Sequence, residues 1–448
     1  MAIDPGARIV QQEEIVLEKE SRARKNFIRR IIAEISTPSV YTVIRYLDYQ
    51  QRFKSYFHKS KVYDFKDYQQ GQMVALIAIW EYEYIRRDIK NLIDELNARN
   101  FYVCVINTGK IDSKLFENLA SVYIQRFNYG RDFGSYKEGF LYLSKKGILS
   151  SSPKLLMVND SVFFLRQSIG KALDLFVQSK KRVLGATENF DIWHHLGSFF
   201  IMFDKKILES RKFLYFWKRF KQSDIRTKNI RYGEIKLTDV VKKIVPEEQT
   251  AAYWSLSSIS ERVNTEAALS SAISLSNRGH LTGWKKLSWQ MATKMFLQER
   301  IVAINDFQTS PNLKFTSENG ERSEYDSLRA IHDYESSVKL IEEFTNQELN
   351  PHILSDLFLK SKGLFMTTAA SGSQIHQNGN LLVTLGCPLV KLDLIYRGAY
   401  SYEDSELLFT LITDIDDRNL VREIIYRRAF GIEALRGWKR SAFGKGLI

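Results

Sequence analysis

Two short polar segments carry the residue types of a site that binds phosphates or a divalent cation. The first reads Asn-Tyr-Gly-Arg-Asp over 128–132, and the second reads Asn-Asp-Ser over 159–161. Asp132 and Asp160 could accept hydrogen bonds from a ribose or a base, or hold a cation against a diphosphate. Gly130 allows the backbone to turn sharply or to approach a phosphate closely. Together these residue types predict a crevice that binds a nucleotide.

Plainer explanations of the same residues remain open. Asn159, Asp160 and Ser161 could form a turn in which the aspartate caps the next helix. Arg131 and Lys137 are candidate phosphate contacts, but Lys137 could instead cap the helix that follows the first segment.

A pair of histidines, His194 and His195, opens the segment HHLGSFF. His195 could donate a hydrogen bond to a phosphate or a sugar hydroxyl, or it could be a buried histidine that closes a sheet. Two adjacent histidines without cysteine or acidic partners at ligand spacing do not form a zinc site.

The apolar runs around these segments alternate between the periodicity of strands and that of helices. VYIQRF precedes the first polar segment and KLLMV precedes the second, with a helical pattern between them that is broken at Gly147. This order predicts a βαβ crossover whose two polar segments lie at the carboxyl ends of parallel strands, the edge at which open α/β sheets bind ligands. MVALIAI, FYVCVI, RVLGAT and SFFIMF continue the alternation over about 72–225. The predicted fold class is therefore α/β, with a doubly wound, mostly parallel sheet.

We predict three parts of the chain. Residues 1–71 form a basic helical extension, 72–300 a catalytic domain, and 301–448 a mainly helical region with a role on the acceptor side or in oligomerisation. In the extension, the apolar residues of 27–35 recur on one helical face among arginines. Such a helix could lie on anionic lipid, or it could pack against the main domain with a basic outer face.

The composition excludes several classes of protein. The chain has 448 residues, 44% of them hydrophobic, and a formal net charge of +13. No recognisable nucleic-acid-binding module accompanies that charge, so we predict no nucleic-acid partner. Cys104 and Cys387 are the only cysteines, and neither a signal peptide nor an apolar run of membrane-spanning length is present. These features predict a cytoplasmic protein without disulfides.

The segments read together resemble the rhamnan synthesis protein F family of bacterial polysaccharide assembly. The family's boxes are matched by Asn128, Gly130, Asp132, Phe133, Gly134, Ser135 and Lys137, by Asn159, Asp160 and Ser161, by Gly185 and Thr187, and by His195, Leu196, Ser198 and Phe200. Phe199 stands where a tyrosine is usual. A later P-x-x-K-x-x-L segment is matched by Pro388, Lys391 and Leu394. The resemblance does not cover the first 70 residues.

The resemblance implies a glycosyltransferase that moves L-rhamnose or another hexose from a nucleotide-sugar donor to a lipid-linked glycan. It also implies a GT-A-like fold. The apolar and arginine-rich stripe at 27–35, which lies outside the resemblance, predicts a position at the inner face of the cytoplasmic membrane and contact with its anionic surface. In GT-A enzymes a D-x-D motif holds a metal on the diphosphate, and here V-N-D-S occupies that place. Asp160 could hold Mg²⁺ or Mn²⁺ through one carboxylate and water, or basic residues could neutralise the diphosphate instead. The implied donor contacts are Asn128, Gly130, Arg131, Asp132, Lys137, Asn159, Asp160, Ser161 and His195.

An inverting transferase of this kind needs a carboxylate base for the acceptor hydroxyl. Glu266 fits the GT-A pattern of an acidic residue that begins a helix, with Leu269 and Gly279 following it. Glu234 in YGEIKLTDVV is the competitor. We expect Glu266 to face the crevice near Asp160. The alternative function is a catalytically silent glycan-binding or scaffold domain, which the missing second acidic residue of D-x-D favours.

Overall fold

The computed structural model of the chain describes residues 38–275, 314–317, 320–323, 338–339, 342, 351–370, 372–427 and 431–448. Within these residues the main sheet has eight strands, which are β1 (Lys61–Asp64), β2 (Met73–Ile79), β3 (Phe101–Asn107), β4 (Val122–Gln125), β5 (Lys154–Asn159), β7 (Val183–Gly185), β10 (Phe200–Asp204) and β11 (Thr250–Ala252). Their order in the sheet is β1-β4-β3-β2-β5-β10-β7-β11. The short strands outside it are β6 (Val162–Phe164), β8 (Glu188–Asn189), β9 (His195–Leu196), β12 (Lys314–Ser317), β13 (Gly320–Ser323) and β14 (Leu389–Lys391).

The strand directions confirm the predicted fold class. Strands β4, β3, β2 and β5 are parallel neighbours, while β10 runs antiparallel between β5 and β7. Both polar segments therefore follow strands that end at the same edge of the sheet. Strand β1 lies within the stretch that we predicted as helical, and it pairs antiparallel with β4. The edge of β4 would otherwise leave its backbone groups unpaired, and the cross-strand rings of Tyr63 and Tyr123 lie 5.9 Å apart.

Helices cover both faces of the sheet. The described helices before the gap at 276 are α1 (38–56), α2 (Arg87–Ala98), α3 (Arg131–Lys145), α4 (Ile148–Ser151), α5 (Arg166–Gln178), α6 (Lys205–Leu208), α7 (Arg211–Arg219), α8 (Arg226–Asn229), α9 (Lys236–Lys242), α10 (Leu256–Arg262) and α11 (Glu266–Ser274). A π-helical turn, Ile230–Ile235, joins α8 to α9. Those in the remaining part are α12 (Pro351–Ala369), α13 (Gln374–Gln377), α14 (Gly379–Thr384), α15 (Tyr402–Leu411), α16 (Ile415–Arg427), α17 (Gly431–Ala434) and α18 (Gly437–Gly444).

Alternate residues of each central strand feed two hydrophobic cores. Along β2, Ala75 and Ile77 belong to the core that α2 and α5 cover. Val74 and Leu76 belong to the opposite core, which contains aromatic side chains of α3 and α7. Because a strand exposes successive side chains to opposite faces, a strand covered on both sides must be apolar throughout. That is why MVALIAI reads as a continuous apolar run.

The region after residue 351 contributes to the same architecture. Strand β14 pairs antiparallel with β6, immediately after the Asn-Asp-Ser turn. Phe365, Leu382 and Leu389 are buried in the core that also covers one face of the sheet. The helical prediction for this region is confirmed, whereas the boundary at 300 and the helical stripe at 27–35 lie outside the described residues. No helix in the described ranges is long and apolar enough to span a bilayer.

Candidate active site

Two neighbouring cavities open at the carboxyl edge of the parallel strands. The outer cavity, of about 550 Å³, is lined by residues of the β2 end such as Trp80, by Asn128 and by Asp160. The inner cavity, of about 140 Å³, is lined by Asn159, Ser161 and Glu234 among others. Arg131 and Asp132 line both. The two polar segments predicted from the sequence therefore meet at one place.

The turn after β5 holds the Asp160 carboxylate against the end of β2. Its Oδ2 accepts a hydrogen bond from the Trp80 amide at 2.6 Å, and its own amide donates to the Ala78 carbonyl at 3.1 Å. Desolvation raises the pKa of Asp160 to about 6, a shift that the Arg86 guanidinium reduces and the Asp132 carboxylate increases. Asp160 does not cap the next helix, as the plain-turn explanation proposed. It faces the outer cavity with one oxygen bound to backbone.

Asn159 connects the two segments through its side-chain amide. Its Nδ2 donates to Asp132 Oδ2 at 3.0 Å, and its Oδ1 accepts from the Ser161 amide at 3.1 Å. Lys391 in β14 donates from Nζ to Ser161 Oγ at 2.8 Å. Desolvation raises the pKa of Asp132, although the nearby charges of Arg131 and Lys391 oppose this shift. Acidic and basic side chains, among them Asp132, Arg131 and Lys391, thus lie together in the lining of the inner cavity.

A buried ion pair that the sequence analysis did not identify supports the Asn-Asp-Ser turn. Arg86 forms a bidentate pair with Asp88, with Nη2 at 2.9 Å from Oδ2. The same guanidinium donates to the carbonyl of Asp160 at 3.2 Å and to that of Val162 at 2.8 Å, while Asp88 accepts from the Phe164 amide. Asp88 is fully buried and Arg86 is largely buried, and a charged pair removed from water in this way is stable only when such hydrogen bonds surround it. An RRD tripeptide before an apolar helix gave no local signal of this role.

Backbone geometry explains the glycine of the first segment. Gly130 has a φ of +86°, and Arg131 follows with a φ of +52° before α3 continues. A Cβ on Gly130 would lie 2.8 Å from the side chain of Gln222, and the Gly130 amide donates to Asp224 at 2.7 Å. The glycine is needed because the chain turns in a left-handed conformation in close contact with 222–224. This turn directs Arg131 and Asp132 into the cavities.

Glu234 is held in the inner cavity by two side chains that precede and begin the SFFIMF segment. His195 Nε2 lies 3.2 Å from one carboxylate oxygen, and Ser198 Oγ donates to the other at 3.1 Å. His195 Nδ1 is 2.7 Å from the Trp193 carbonyl, so both ring nitrogens face acceptors and the imidazolium form satisfies both. Burial lowers the pKa of His195, but its contacts with Glu234 raise it overall. Burial alone would raise the pKa of Glu234, but the contact with His195 holds that pKa below its ordinary value.

Three predicted placements need correction. Glu266 is exposed in the first turn of α11 and lines neither cavity, so the expected position near Asp160 is wrong. Thr265 caps that helix, and Leu269 anchors it in the core that α2 and α5 cover. Lys137 donates to the carbonyls of Lys218 and Phe220, and it ties α3 to the end of α7 instead of reaching a cavity. His195 is buried behind Glu234 and does not line either cavity itself.

The inner cavity also receives a cluster from the region after residue 372. His376 Nε2 lies 3.0 Å from Asp393, which also pairs with Arg397. Burial would raise the pKa of Asp393, but His376 and the neighbouring cations hold it well below its usual range. Of this cluster, only Lys391 belonged to a motif found in the sequence. Lone histidine, aspartate and arginine residues in a helical region give no signal of a shared site.

Arg226 lines the same cavity and has no ion pair with a carboxylate in the described part of the chain. Burial lowers its pKa, and so do the nearby charges of Arg397 and Arg131, while the carboxylates of Asp393 and Glu234 oppose this shift. Cations that repel one another in a cavity are stabilised when an anion binds between them. This arrangement predicts an anionic ligand.

Comparison with known proteins supports the family resemblance. The sequence model described as rhamnan synthesis protein F matches residues 102–244. The rhamnan synthesis protein F match includes both polar segments, His195 and Glu234, but neither Glu266 nor Lys391. An uncharacterised protein, y4gN of Sinorhizobium fredii (strain NBRC 101917 / NGR234), is 28% identical over 172 residues, 37% of this chain and 44% of that protein.

Solved structures are also similar, among them that of the glycosyltransferase GlyE of Streptococcus pneumoniae TIGR4. It has 12% sequence identity and a TM-score of 0.26, and the similarity covers 66% of this chain and 64% of GlyE. This chain therefore spans less than half of the length of y4gN and less than two thirds of that of GlyE.

Proposed function

We propose that the chain is a glycosyltransferase of bacterial polysaccharide synthesis that uses a nucleotide-sugar donor and a lipid-linked glycan acceptor at the membrane. The observation that carries this proposal is the inner cavity, where the Glu234 carboxylate, whose pKa is lowered, lies among cations that include Arg226 and Lys391. Transfer to a hydroxyl needs both of these groups: a proton acceptor, and positive charge for a leaving diphosphate. The name of the matching family supports the polysaccharide context.

The donor fits across the boundary of the two cavities. The half-exposed indole of Trp80 offers a face for the base in the outer cavity. Asn128 and Asp132 supply polar contacts beside it. The diphosphate would then lie next to Arg131, which lines both cavities, and the sugar would enter the inner cavity. Lys391 and Arg226 would neutralise the charge that develops on the departing diphosphate.

The acceptor reacts through an oxygen on the Glu234 side of the sugar. The Glu234 carboxylate takes the hydroxyl proton while the acceptor oxygen forms a bond to the anomeric carbon. The bond from that carbon to the diphosphate breaks, and its electron pair leaves with the nucleoside diphosphate. Attack from the face opposite the leaving group makes the reaction inverting. His195 and Ser198 position the carboxylate for this step, and L-rhamnose or another hexose is the transferred sugar.

A divalent cation fits this site through carboxylate oxygens. Asp132 and Asp160 line the same cavity, and the charge of Asp132 raises the pKa of Asp160. No cluster of three acidic, histidine or cysteine ligands occurs among the described residues. Mg²⁺ commonly binds through one or two carboxylates, phosphate oxygens and water. Asp160 and Asp132 would hold Mg²⁺ or Mn²⁺, which would supply further neutralisation of the diphosphate.

A catalytically silent glycan-binding domain is the second candidate. It is favoured by the lowered pKa of Glu234, since a weaker base accepts a proton less readily. Incubation of the purified chain with a panel of nucleotide sugars and a lipid-linked acceptor distinguishes the two candidates. A transferase releases nucleoside diphosphate in an amount equal to the glycan formed. Binding of a donor without any release in the whole panel would support the silent domain.

A further inference from the structure

A third cavity, larger than the other two, lies beside the active site. This basic cavity of about 760 Å³ is formed by α1, α7, residues 220–223 and the stretch from Lys228 to Lys243. It shares no lining residue with the outer or inner cavity. Nothing in the proposed transfer reaction uses it.

The rim of the basic cavity is strongly positive. Among the described residues, seven lysines and arginines line it, against one carboxylate, Asp48. Asp48 already accepts hydrogen bonds from Ser223 Oγ at 2.8 Å and from the Asp224 amide at 2.7 Å. Its remaining ion pair with Lys228 is long, at 3.7 Å. Most of the positive charge is therefore left for a ligand.

Six of these seven cations are exposed, among them Lys221, Lys236 and Lys243. Lys221, Lys236 and Lys243 have no carboxylate within ion-pairing distance in the described parts of the chain. Mutual repulsion between unpaired cations is relieved when a phosphate group binds among them. The rim is thus suited to an anion, with lysine ammonium groups that adapt to its position.

The floor and walls of the basic cavity are apolar and aromatic. Phe216 and Phe220 are buried beneath it, while Tyr215 and Tyr232 are about half exposed on its walls. Arg219 lies over the Tyr215 ring at 4.5 Å. A free phosphate ion would gain nothing from this floor. An amphiphile with a phosphate head and hydrocarbon behind it would use both parts.

Helix α1 extends the aromatic surface away from the cavity. Tyr49, Phe53 and Tyr56 are 66%, 55% and 69% exposed, and their spacing of four and three residues places them along one face. Arg52 lines the basic cavity and donates from Nε to the Tyr56 hydroxyl at 3.2 Å. Tyrosine and phenylalanine on an amphipathic helix, next to arginine and lysine, are typical of segments that lie in a membrane interface.

We propose that this face is a docking surface for an anionic membrane, with one phospholipid headgroup bound in the basic cavity and the aromatic face of α1 in the interface. Charge complementarity identifies the occupant, because each basic residue near an anionic bilayer adds attraction. An aromatic helix face beside a single open cavity suits a bilayer better than it suits a nucleic-acid strand, which needs a long groove. The inference rests on the membrane location in the proposed function and specifies which surface makes the contact, but it does not depend on sugar transfer.

The test is co-sedimentation of the full chain with vesicles of phosphatidylcholine alone or mixed with phosphatidylglycerol. We expect binding only to the mixed vesicles. The variant K221A/K236A/K243A should bind them about a hundredfold more weakly, from about fivefold for each lost charge. The control K90A/K114A/K180A removes three exposed lysines from the side of the sheet that α2 covers and should bind like the unchanged protein. A Tyr49→Ser, Phe53→Ser variant should bind more weakly while keeping its dependence on phosphatidylglycerol.

The outcomes decide between the alternatives. An equal loss of vesicle binding in the two lysine variants would show that general charge attraction explains the binding, and it would overturn the proposal. Binding to neither type of vesicle would also overturn it. Binding of soluble farnesyl phosphate with no vesicle binding would assign the cavity to a carrier lipid instead. Preferential binding of an oligonucleotide that the cavity variant abolishes would assign it to nucleic acid. Thermal shift with nucleotide sugars, expected to be unchanged in the cavity variant, reports separately on the donor site.

Discussion

At the scale of single residues, the environment of Glu234 determines its chemistry. The carboxylate is fixed by His195 and Ser198 at the wall of a cavity that it shares with Asp132. Glu266 has the better sequence pattern but an exposed position. A base must be held close to its substrate, because a displacement of about 1 Å can reduce the rate a hundredfold. The contacts therefore favour Glu234.

Replacing each glutamate by glutamine tests this assignment. Glu234→Gln keeps the shape but cannot take a proton, so we expect transfer to fall by about a hundredfold or more with donor binding retained. Glu266→Gln is the matched control and should retain full activity. Steady-state transfer and donor titration on both variants provide the measurement. Full activity of Glu234→Gln together with loss of activity in Glu266→Gln would restore the original assignment.

Asp160→Asn should separate binding from stability. The folded pKa of about 6 lies above the ordinary value of 3.8, so this group contributes stability below the unfolded pKa and loses it as the pH rises through 6. Asparagine can still accept from the Trp80 amide but carries no charge. We expect the variant to melt higher than the unchanged protein at about pH 7.5, with the difference shrinking towards about pH 5. Its transfer rate should fall by at least about a hundredfold.

A melting temperature for Asp160→Asn below that of the unchanged protein at neutral pH would contradict the desolvated position of the carboxylate. Undiminished transfer would separately remove Asp160 from the donor site.

At the scale of elements, helix α3 places Arg131 and Asp132 because it lies close to the sheet. A Cβ on Gly139 would stand 2.3 Å from Leu76 Cδ1 and 2.7 Å from Ile106 Cδ1. The missing side chain thus sets the distance between α3 and strands β2 and β3. Any outward shift of this helix would move its first turn away from the Asn159 amide.

Gly139→Ala should destabilise the fold, because an added methyl in a packed core costs about 1–3 kcal/mol. Gly363→Ala is the matched control: this exposed glycine lies inside α12 with open space at its Cβ position. There alanine should stabilise by about 0.5–1 kcal/mol through its higher helix propensity. Urea unfolding of both variants measures the difference. Equal effects at the two positions would show that helix propensity, rather than contact with the sheet, explains Gly139.

At the scale of the whole molecule, the region after residue 351 is part of the structure around the site. Strand β14 carries Lys391 to the Asn-Asp-Ser turn, and Trp254 Nε1 donates to the Leu385 carbonyl at 3.1 Å. Leu382 is buried in the core that reaches the sheet. We therefore expect this region and the α/β sheet to unfold together.

Leu382→Ala should lower the stability of the entire described unit by about 2–5 kcal/mol, the usual cost of a cavity in a core. The unfolding transitions followed by circular dichroism and by tryptophan fluorescence should shift together to lower denaturant. Leu359→Ala, at an exposed position of α12, should leave both unchanged. If only one transition moves, the region after residue 351 is an independent domain.

The sequence by itself determined the local features of this protein. Continuous apolar strands, helical spacing between them and polar residues at strand ends are set by short-range periodicity, so the α/β class and the meeting of Asp132 with Asp160 were predictable. Gly130 was identified for the correct reason, a turn that other residues do not readily adopt.

Only the tertiary structure decided which distant residues complete the site. Glu234, Arg226 and the cluster around Asp393 come from separate segments, and their proximity depends on how β14 and the π-helical turn pack against the sheet. The pattern around Glu266 predicted a helix start correctly but could not show which way that helix faces. Short sequence patterns specify conformation, whereas the position of a side chain in a cavity depends on contacts between residues far apart in the chain.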